Sequence, residues 1–178
     1  MAQAIDRRAP MASAPFKYRP DGRVDWGTMW QSFCALALDG GPPHRGDFLP
    51  APTTADPTSP AYQEVAAEIC RGIQEVSGLA AFPAEPGWIA VPCSSAAMAS
   101  WLATAILAEN VAARAEGSRL LVPCGEHFTL KEEIKNVITA VAKTTHYWQQ
   151  HLPTEVKTTL TLQTWLGSLV RRLRRGRA

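Results

Sequence analysis

An apolar stripe with a clear start and stop, between residues 59 and 78, places the strongest constraint on the fold. Ser59 followed by Pro60 is a helix start signal, because serine accepts a backbone N–H and proline suits the first turn. Gly78 is a stop signal. Large apolar residues recur every three or four positions between them, at Tyr62, Val65, Ile69, Ile73 and Val76. The stripe therefore predicts an amphipathic helix whose apolar face other elements must cover.

Three further segments show helical periodicity. Asp25 can cap the first of them, and Gly40-Gly41 ends it. The predicted helices are Trp26–Leu38, Ala96–Ala115 with a stop at Gly117, and Leu130–His151 with Pro153 after it. The pattern of Val156–Thr164 fits a strand as well as a helix, and we predict a short extended start followed by a helix from Leu162.

Short apolar runs bounded by proline and glycine predict the sheet. They are Leu79–Phe82 and Trp88–Val91, which read as a hairpin, and Arg119–Val122. The last two are each followed by Pro-Cys, ending at Cys93 and Cys124. A right-handed crossover through the intervening helix would make these strands parallel, with both cysteines at one sheet edge, where open α/β sheets bind ligands.

Together these elements predict an α+β fold, with a small mixed sheet of about three strands packed against four to five helices. With 178 residues, of which 46% are hydrophobic, the chain can bury one core without disulfides. We expect a single domain over residues 23–170, preceded by a flexible N-terminal arm, residues 1–22. Phe16 and Tyr18 of that arm can dock on the domain.

Charge is unevenly placed along the chain. Arg171, Arg172, Arg174, Arg175 and Arg177 form a basic tail over residues 171–178, whereas thirteen basic and sixteen acidic residues precede it. An acidic body argues against nucleic-acid binding except through the tail, because phosphate neutralisation supplies most non-specific affinity. The basic residues are suited to a phosphate, nucleic acid, an anionic membrane surface or an acidic protein partner, but a solvated chain end is the simpler interpretation.

Composition also bears on location and metals. The apolar runs are interrupted before the roughly 18 residues that a membrane span needs. No apolar segment follows the charged residues Asp6–Arg8, so we expect a cytoplasmic protein with no integral membrane segment. The four cysteines have no CxxC spacing, which favours reduced thiols and encodes no metal site. No motif specifies a cofactor.

Four residues are candidates for catalysis. Cys93 and Cys124 are candidate thiol nucleophiles, and His127 is a candidate base three residues beyond Cys124. Glu109 falls on the apolar face of the predicted third helix, where a buried carboxylate would act as acid or base or would pair with a cation such as Arg45 or Arg114. Each has a structural alternative, since free cysteines are commonly buried and Glu109 near a helix end can reach water.

Four residues are candidates for ligand binding. His44 and Arg45 lie in the proline-rich segment between residues 39 and 58, whose glycines and arginine could surround an anion. Asn136 and Lys143 lie on the polar face of the predicted fourth helix. The structural alternative is that this face is simply exposed to solvent. His146 and His151 are five residues apart, which misses the i, i+4 spacing of two ligands on one α-helical face, so no metal site is predicted.

Two classes of function remain. The first is a non-catalytic accessory protein that docks on a larger protein through the proline-rich segment, the tryptophan-rich helices or the arginine tail. The alternative is a small enzyme or anionic-ligand-binding protein whose site lies at the Cys93 and Cys124 strand ends, under the His44-Arg45 segment. We favour the first, because no nucleophile, base and orienting residue can be assembled from the spacing.

Overall fold

The computed structural model describes residues 16–38 and 47–175, which form an α+β fold of five helices and a four-stranded antiparallel sheet. The elements in chain order are α1 (Trp26–Leu38), α2 (Pro60–Ser77), β1 (Phe82–Pro83), β2 (Trp88–Pro92), α3 (Ala96–Ala108), β3 (Arg114–Glu116), β4 (Arg119–Pro123), α4 (Lys135–His146) and α5 (Thr154–Arg175). π-Helical segments, Leu130–Ile134 and Tyr147–His151, flank α4. No helix of these two ranges is both long and apolar enough to cross a membrane.

The start signal of α1 and both the start and stop signals of α2 act as predicted, whereas Gly40-Gly41, the predicted stop of α1, lies outside the described residues. Asp25 Oδ1 accepts the N–H of Thr28 at 2.9 Å, which caps α1. Ser59 Oγ accepts the N–H of Tyr62 at 3.1 Å, and Gly78 closes α2 with a φ of 71°. The predicted start of α1 at Trp26 and the predicted bounds of α2 are confirmed.

The third helix is shorter than predicted. It ends at Ala108, and Asn110 adopts a φ of 62°, a left-handed conformation that asparagine tolerates better than most residues. The chain then forms β3, whose first two residues, Arg114 and Ala115, belong to the predicted helix. Gly117, predicted as the helix stop, instead occupies the turn between β3 and β4 with a φ of 59°.

The sheet has the order β1-β2-β4-β3, with every neighbouring pair antiparallel. The β1–β2 hairpin is confirmed, although β1 has only two residues. The predicted mixed sheet, with β2 and β4 parallel, is wrong: Trp88 pairs with Pro123 and Pro92 with Arg119. The reason is β3, which forms a hairpin with β4 and so reverses the chain once more after α3.

The region from Leu130 to His151 is helical as predicted, with π-helical turns at both ends. The extended start predicted before Leu162 is wrong, because α5 begins at Thr154. Its threonine hydroxyls donate to carbonyls four residues earlier, for example Thr158 to Thr154 at 2.9 Å and Thr161 to Lys157 at 2.8 Å. These bonds satisfy side chains that would otherwise favour a strand.

The core lies where α2 and α4 cross beside the sheet, with α3 and the start of α1 closing it. Its largest fully buried side chains include Trp26, Tyr62, Ile69, Ile73, Leu102, Leu120 and Ile138. At Gly72 the two helices approach so closely that an added Cβ would lie 2.9 Å from Cγ1 of Ile138. Phe16 packs edge-on against Trp26 at 5.9 Å, so this part of the N-terminal arm docks as predicted.

Candidate functional site

Cys93 and Cys124 lie at opposite ends of the β2–β4 pair. The Cys93 N–H donates to the carbonyl of Ser118 at 2.8 Å, and the Cys124 N–H donates to that of Gly87 at 2.9 Å. This separation follows directly from the antiparallel register. The expectation that the two thiols share one sheet edge is therefore wrong, and the predicted joint site is not formed.

Cys124 instead belongs to a buried group with Tyr62 and Cys70. Burial raises the pKa of Cys124 to about 12, and the neighbouring Cys70 adds to the shift, whereas the nearby Tyr62 hydroxyl opposes it. Burial raises the pKa of Cys70 to about 11 and, with Cys124 beside it, that of Tyr62 to about 12. The pKa of Cys93 is also raised by burial. All these thiols stay protonated at neutral pH, a state that disfavours nucleophilic attack.

His127 lies in the loop after β4 and is 92% exposed, with Nε2 at 3.5 Å from Oε1 of Glu126. Cys124, its nearest predicted catalytic partner in the sequence, is fully buried. The two residues thus occupy different environments in spite of their short spacing. His44 and Arg45 lie outside the described residues.

Glu109 and Lys143 form an ion pair between the end of α3 and the last turn of α4. Nζ of Lys143 donates to Oε1 of Glu109 at 2.8 Å. The Glu109 side chain is only 11% exposed, and its Oε2 is buried without a hydrogen bond from any described residue. The structure thus joins one predicted catalytic residue to one predicted ligand-binding residue. Arg114, an expected partner of Glu109, instead pairs with Glu85 and Glu116.

Asn136 is half-buried on α4, seven residues before Lys143 and therefore on the same side of the helix two turns away. That spacing separates the two residues by about 10 Å along the helix axis, since each residue rises about 1.5 Å. They can bind a common ligand only if it spans both turns.

An aromatic and histidine cluster surrounds the last turn of α4. Trp101 stacks on Tyr147 with ring centroids 5.9 Å apart, and Trp30 contacts His146 at 5.8 Å. His146 and His151 face each other with 3.3 Å between their Nε2 atoms. The sequence reading missed this pair because it assumed α-helical geometry, whereas residues 147–151 form a π-helical turn.

The first half of α5 is an exposed helical surface. None of the residues Thr154–Thr164 is buried, and Val156 and Leu162 are 40% and 57% exposed. Leu160 packs on the core, and Nζ of Lys157 donates to the carbonyl of Gln149 at 3.3 Å, which holds the helix in place. We call Thr154–Thr164 the α5 surface.

Fold and site together define an α+β protein in which the α5 surface, of low burial, is attached to a well-packed core. Comparisons with protein-family models, with curated proteins and with solved structures find no match to this chain.

Proposed function

We propose that this chain is a non-catalytic partner-binding protein that docks through α5 into an apolar groove with an acidic rim on another protein. The exposure of the α5 surface is the observation that carries the proposal. A helix normally owes its stability in a protein to the packing of an apolar face. Here the described half of the helix is anchored at Leu160 and leaves Val156 and Leu162 in solvent.

Spacing along α5 supports recognition by a groove. Leu162 is followed in the sequence by Leu166, Leu169 and Leu173, at intervals of four, three and four residues, and the helical backbone continues to Arg175. This is the anchor pattern of helices that bind in apolar grooves. Burying a leucine side chain contributes about 1.5–3 kcal/mol, so several anchors together offset a substantial part of the cost of association.

Charge supports an acidic rim on the partner. Five arginines follow Val170, while the preceding chain carries more acidic than basic residues. Complementary charge accelerates the encounter of two proteins and excludes partners of the wrong sign. An acidic rim would therefore attract the end of α5 in preference to the body of the molecule.

The α5 surface favours a protein partner over a lipid surface. A helix that lies in a membrane interface needs a broad apolar face. The described half of α5 instead presents threonines around its few large apolar residues, and the hydroxyls of Thr158, Thr159 and Thr161 are bonded to the helix's own carbonyls. Short, internally satisfied side chains allow close approach of another protein backbone.

The experiment compares three forms of the full chain as bait for proteins of the source cell: the wild type, Leu162→Glu and the matched control Thr161→Glu. Both substitutions place a carboxylate at an exposed position of α5. We expect one acidic protein that binds the wild type and Thr161→Glu, is lost with Leu162→Glu, and dissociates at high salt. Its direct binding should then be reproduced with the purified pair.

Three results would contradict the proposal. One is retention of the same proteins by all three forms. The others are Leu162-dependent binding to anionic vesicles and Leu162-dependent self-association in sedimentation, each without a separate protein partner. These would assign the α5 surface to a membrane or to a second copy of the chain.

A further inference from the structure

The histidine pair, His146 and His151, is formed by an unusual backbone feature. His146 is the last residue of α4, and His151 ends the π-helical turn. The N–H of Leu152 donates to the carbonyl of Tyr147 at 3.0 Å, which closes a bond over five residues. Residues five apart diverge around a regular α-helix but approach one another across a π-helical turn. Such turns occur frequently at functional sites.

The separation of the two ring nitrogens suits a metal ion. Nε2 of His146 and Nε2 of His151 are 3.3 Å apart. Two imidazole nitrogens bound to a tetrahedral Zn²⁺ at about 2.0–2.1 Å lie about 3.3 Å from each other. We propose that the histidine pair binds a divalent transition-metal ion, with Zn²⁺ as the ion that its geometry fits best.

Neighbouring rings hold the pair in position. Trp30 packs edge-on against the His146 ring at 5.8 Å, and the Tyr147 ring lies 5.6 Å from that of His151. These contacts reduce the rotamer freedom that the histidines would otherwise lose on binding a metal. His151 is exposed, so an ion can reach the pair from solvent.

The site offers two protein ligands. Across residues 16–38 and 47–175, no group of three or more histidine, cysteine, aspartate or glutamate side chains is arranged to hold a metal. Water therefore completes the coordination, and the affinity is expected to be lower than that of a closed four-ligand zinc site. Imidazole ligands favour zinc, copper and nickel, whereas Mg²⁺ and Ca²⁺ prefer oxygen.

Without metal, the same distance suits a hydrogen bond in which one ring donates and the other accepts. The ion replaces this hydrogen bond without requiring a new backbone arrangement.

The test is a titration of the full chain with ZnCl₂, followed by calorimetry and by the histidine ring signals in NMR spectra. We expect one equivalent of Zn²⁺ and joint shifts of the His146 and His151 signals, with no shift for His127. His151→Gln should weaken binding by at least about ten-fold, since it removes one of two ligands. The matched control His127→Ala, at a position 92% exposed, should bind as the wild type does. MgCl₂ should produce no response.

A second measurement uses Cu²⁺ and the unmodified tryptophans. Because Trp30 contacts His146, Cu²⁺ at the pair should quench tryptophan fluorescence in the wild type and in His127→Ala, and His151→Gln should abolish most of the quenching. The NMR shifts of the wild type decide the matter independently of any variant. Equal Zn²⁺ binding by His151→Gln and the wild type, or Zn²⁺-induced shifts confined to other residues, would overturn the proposal, as would absence of binding at millimolar Zn²⁺.

Discussion

The crossing of α2 and α4 and the surface of α5 are both helical, yet they differ in how much of their apolar surface the chain itself covers. At the crossing, Gly72 lies so close to Ile138 that there is no room for a side chain. On the α5 surface no residue is buried and Leu162 is more than half exposed. The first region therefore supplies most of the buried apolar packing of the fold, whereas the α5 surface leaves apolar side chains exposed to solvent.

The same comparison predicts how substitutions should rank. Trp26→Ala should have the largest effect on the free energy of unfolding, a loss of about 3–5 kcal/mol, because it opens a cavity in the core. Trp26 is fully buried, and its Nε1–H donates to Oε1 of Glu68 at 2.8 Å, a bond that would also be lost. Denaturant unfolding followed by circular dichroism measures the change. A loss below about 1 kcal/mol, a third of the smallest value expected, would show that Trp26 does not belong to the core.

Glu68→Gln should lower the free energy of unfolding by about 2 kcal/mol. The Glu68 carboxylate accepts charge-assisted hydrogen bonds from Arg23 and Arg71, and it also accepts the indole N–H of Trp26. Burial alone would raise the pKa of Glu68, but the bonds from Arg71 and Trp26 and the charge of Arg71 hold it below its usual value. A lowered folded-state pKa means that the stabilisation is present above the unfolded value of about 4.3 and is lost as the pH falls through the folded value. Between neutral and acidic pH, the free energy of unfolding should therefore fall more steeply for the wild type than for Glu68→Gln. Parallel curves for the two proteins would contradict the stabilising role of the Glu68 carboxylate.

Gly72→Ala should lower the free energy of unfolding by about 1–2 kcal/mol. The added methyl group would overlap Ile138 and crowd Trp26, and this overpacking outweighs the higher helix propensity of alanine. Gly27→Ala is the matched control. Its added Cβ would meet nothing closer than 3.7 Å, so we expect a gain of up to about 1 kcal/mol. Equal changes in the free energy of unfolding for Gly72→Ala and Gly27→Ala would show that α2 and α4 leave room for a methyl group at Gly72. Thermal or denaturant unfolding of both variants decides the sign.

Leu162→Ala should change the free energy of unfolding least, by less than about 0.5 kcal/mol. The Leu162 side chain is more than half exposed, so its truncation removes little buried apolar surface. Its helical position also favours alanine slightly. Measured beside Leu160→Ala, which removes a side chain packed on the core, it separates the anchored side of α5 from the exposed one. A larger loss at Leu162 than at Leu160 would reverse the assignment of the two sides.

Much of the fold could be predicted from local signals. Asp25, Ser59 and Gly78 each act within one helical turn, so their effects are visible in the sequence. The end of α3 was missed because an asparagine, rather than a glycine, takes the left-handed conformation. The helical start of α5 was missed because its threonines bond internally to the helix.

The candidate sites could be predicted only in part, since they depend on which distant segments meet. Glu109 stands out on an apolar face and Lys143 is only one of several polar residues on α4, and their pairing spans 34 positions and requires the packing of α3 on α4. The direction of β4 separates Cys93 from Cys124, and β3, which sets that direction, was not predicted. The histidine pair depends on a π-helical turn that leaves no recognised signal in the sequence.

Amide hydrogen exchange of the full chain, resolved by residue, tests the contrast between the two regions most directly. Exchange in α2 and α4 should require global unfolding, whereas the amides of Thr158–Thr164 should exchange through local opening of α5 at a much lower free energy. Added partner should slow exchange in α5 and leave α2 unchanged. Protection of α5 equal to that of α2 in the isolated chain would contradict the central claim, because it would make α5 an integral part of the core.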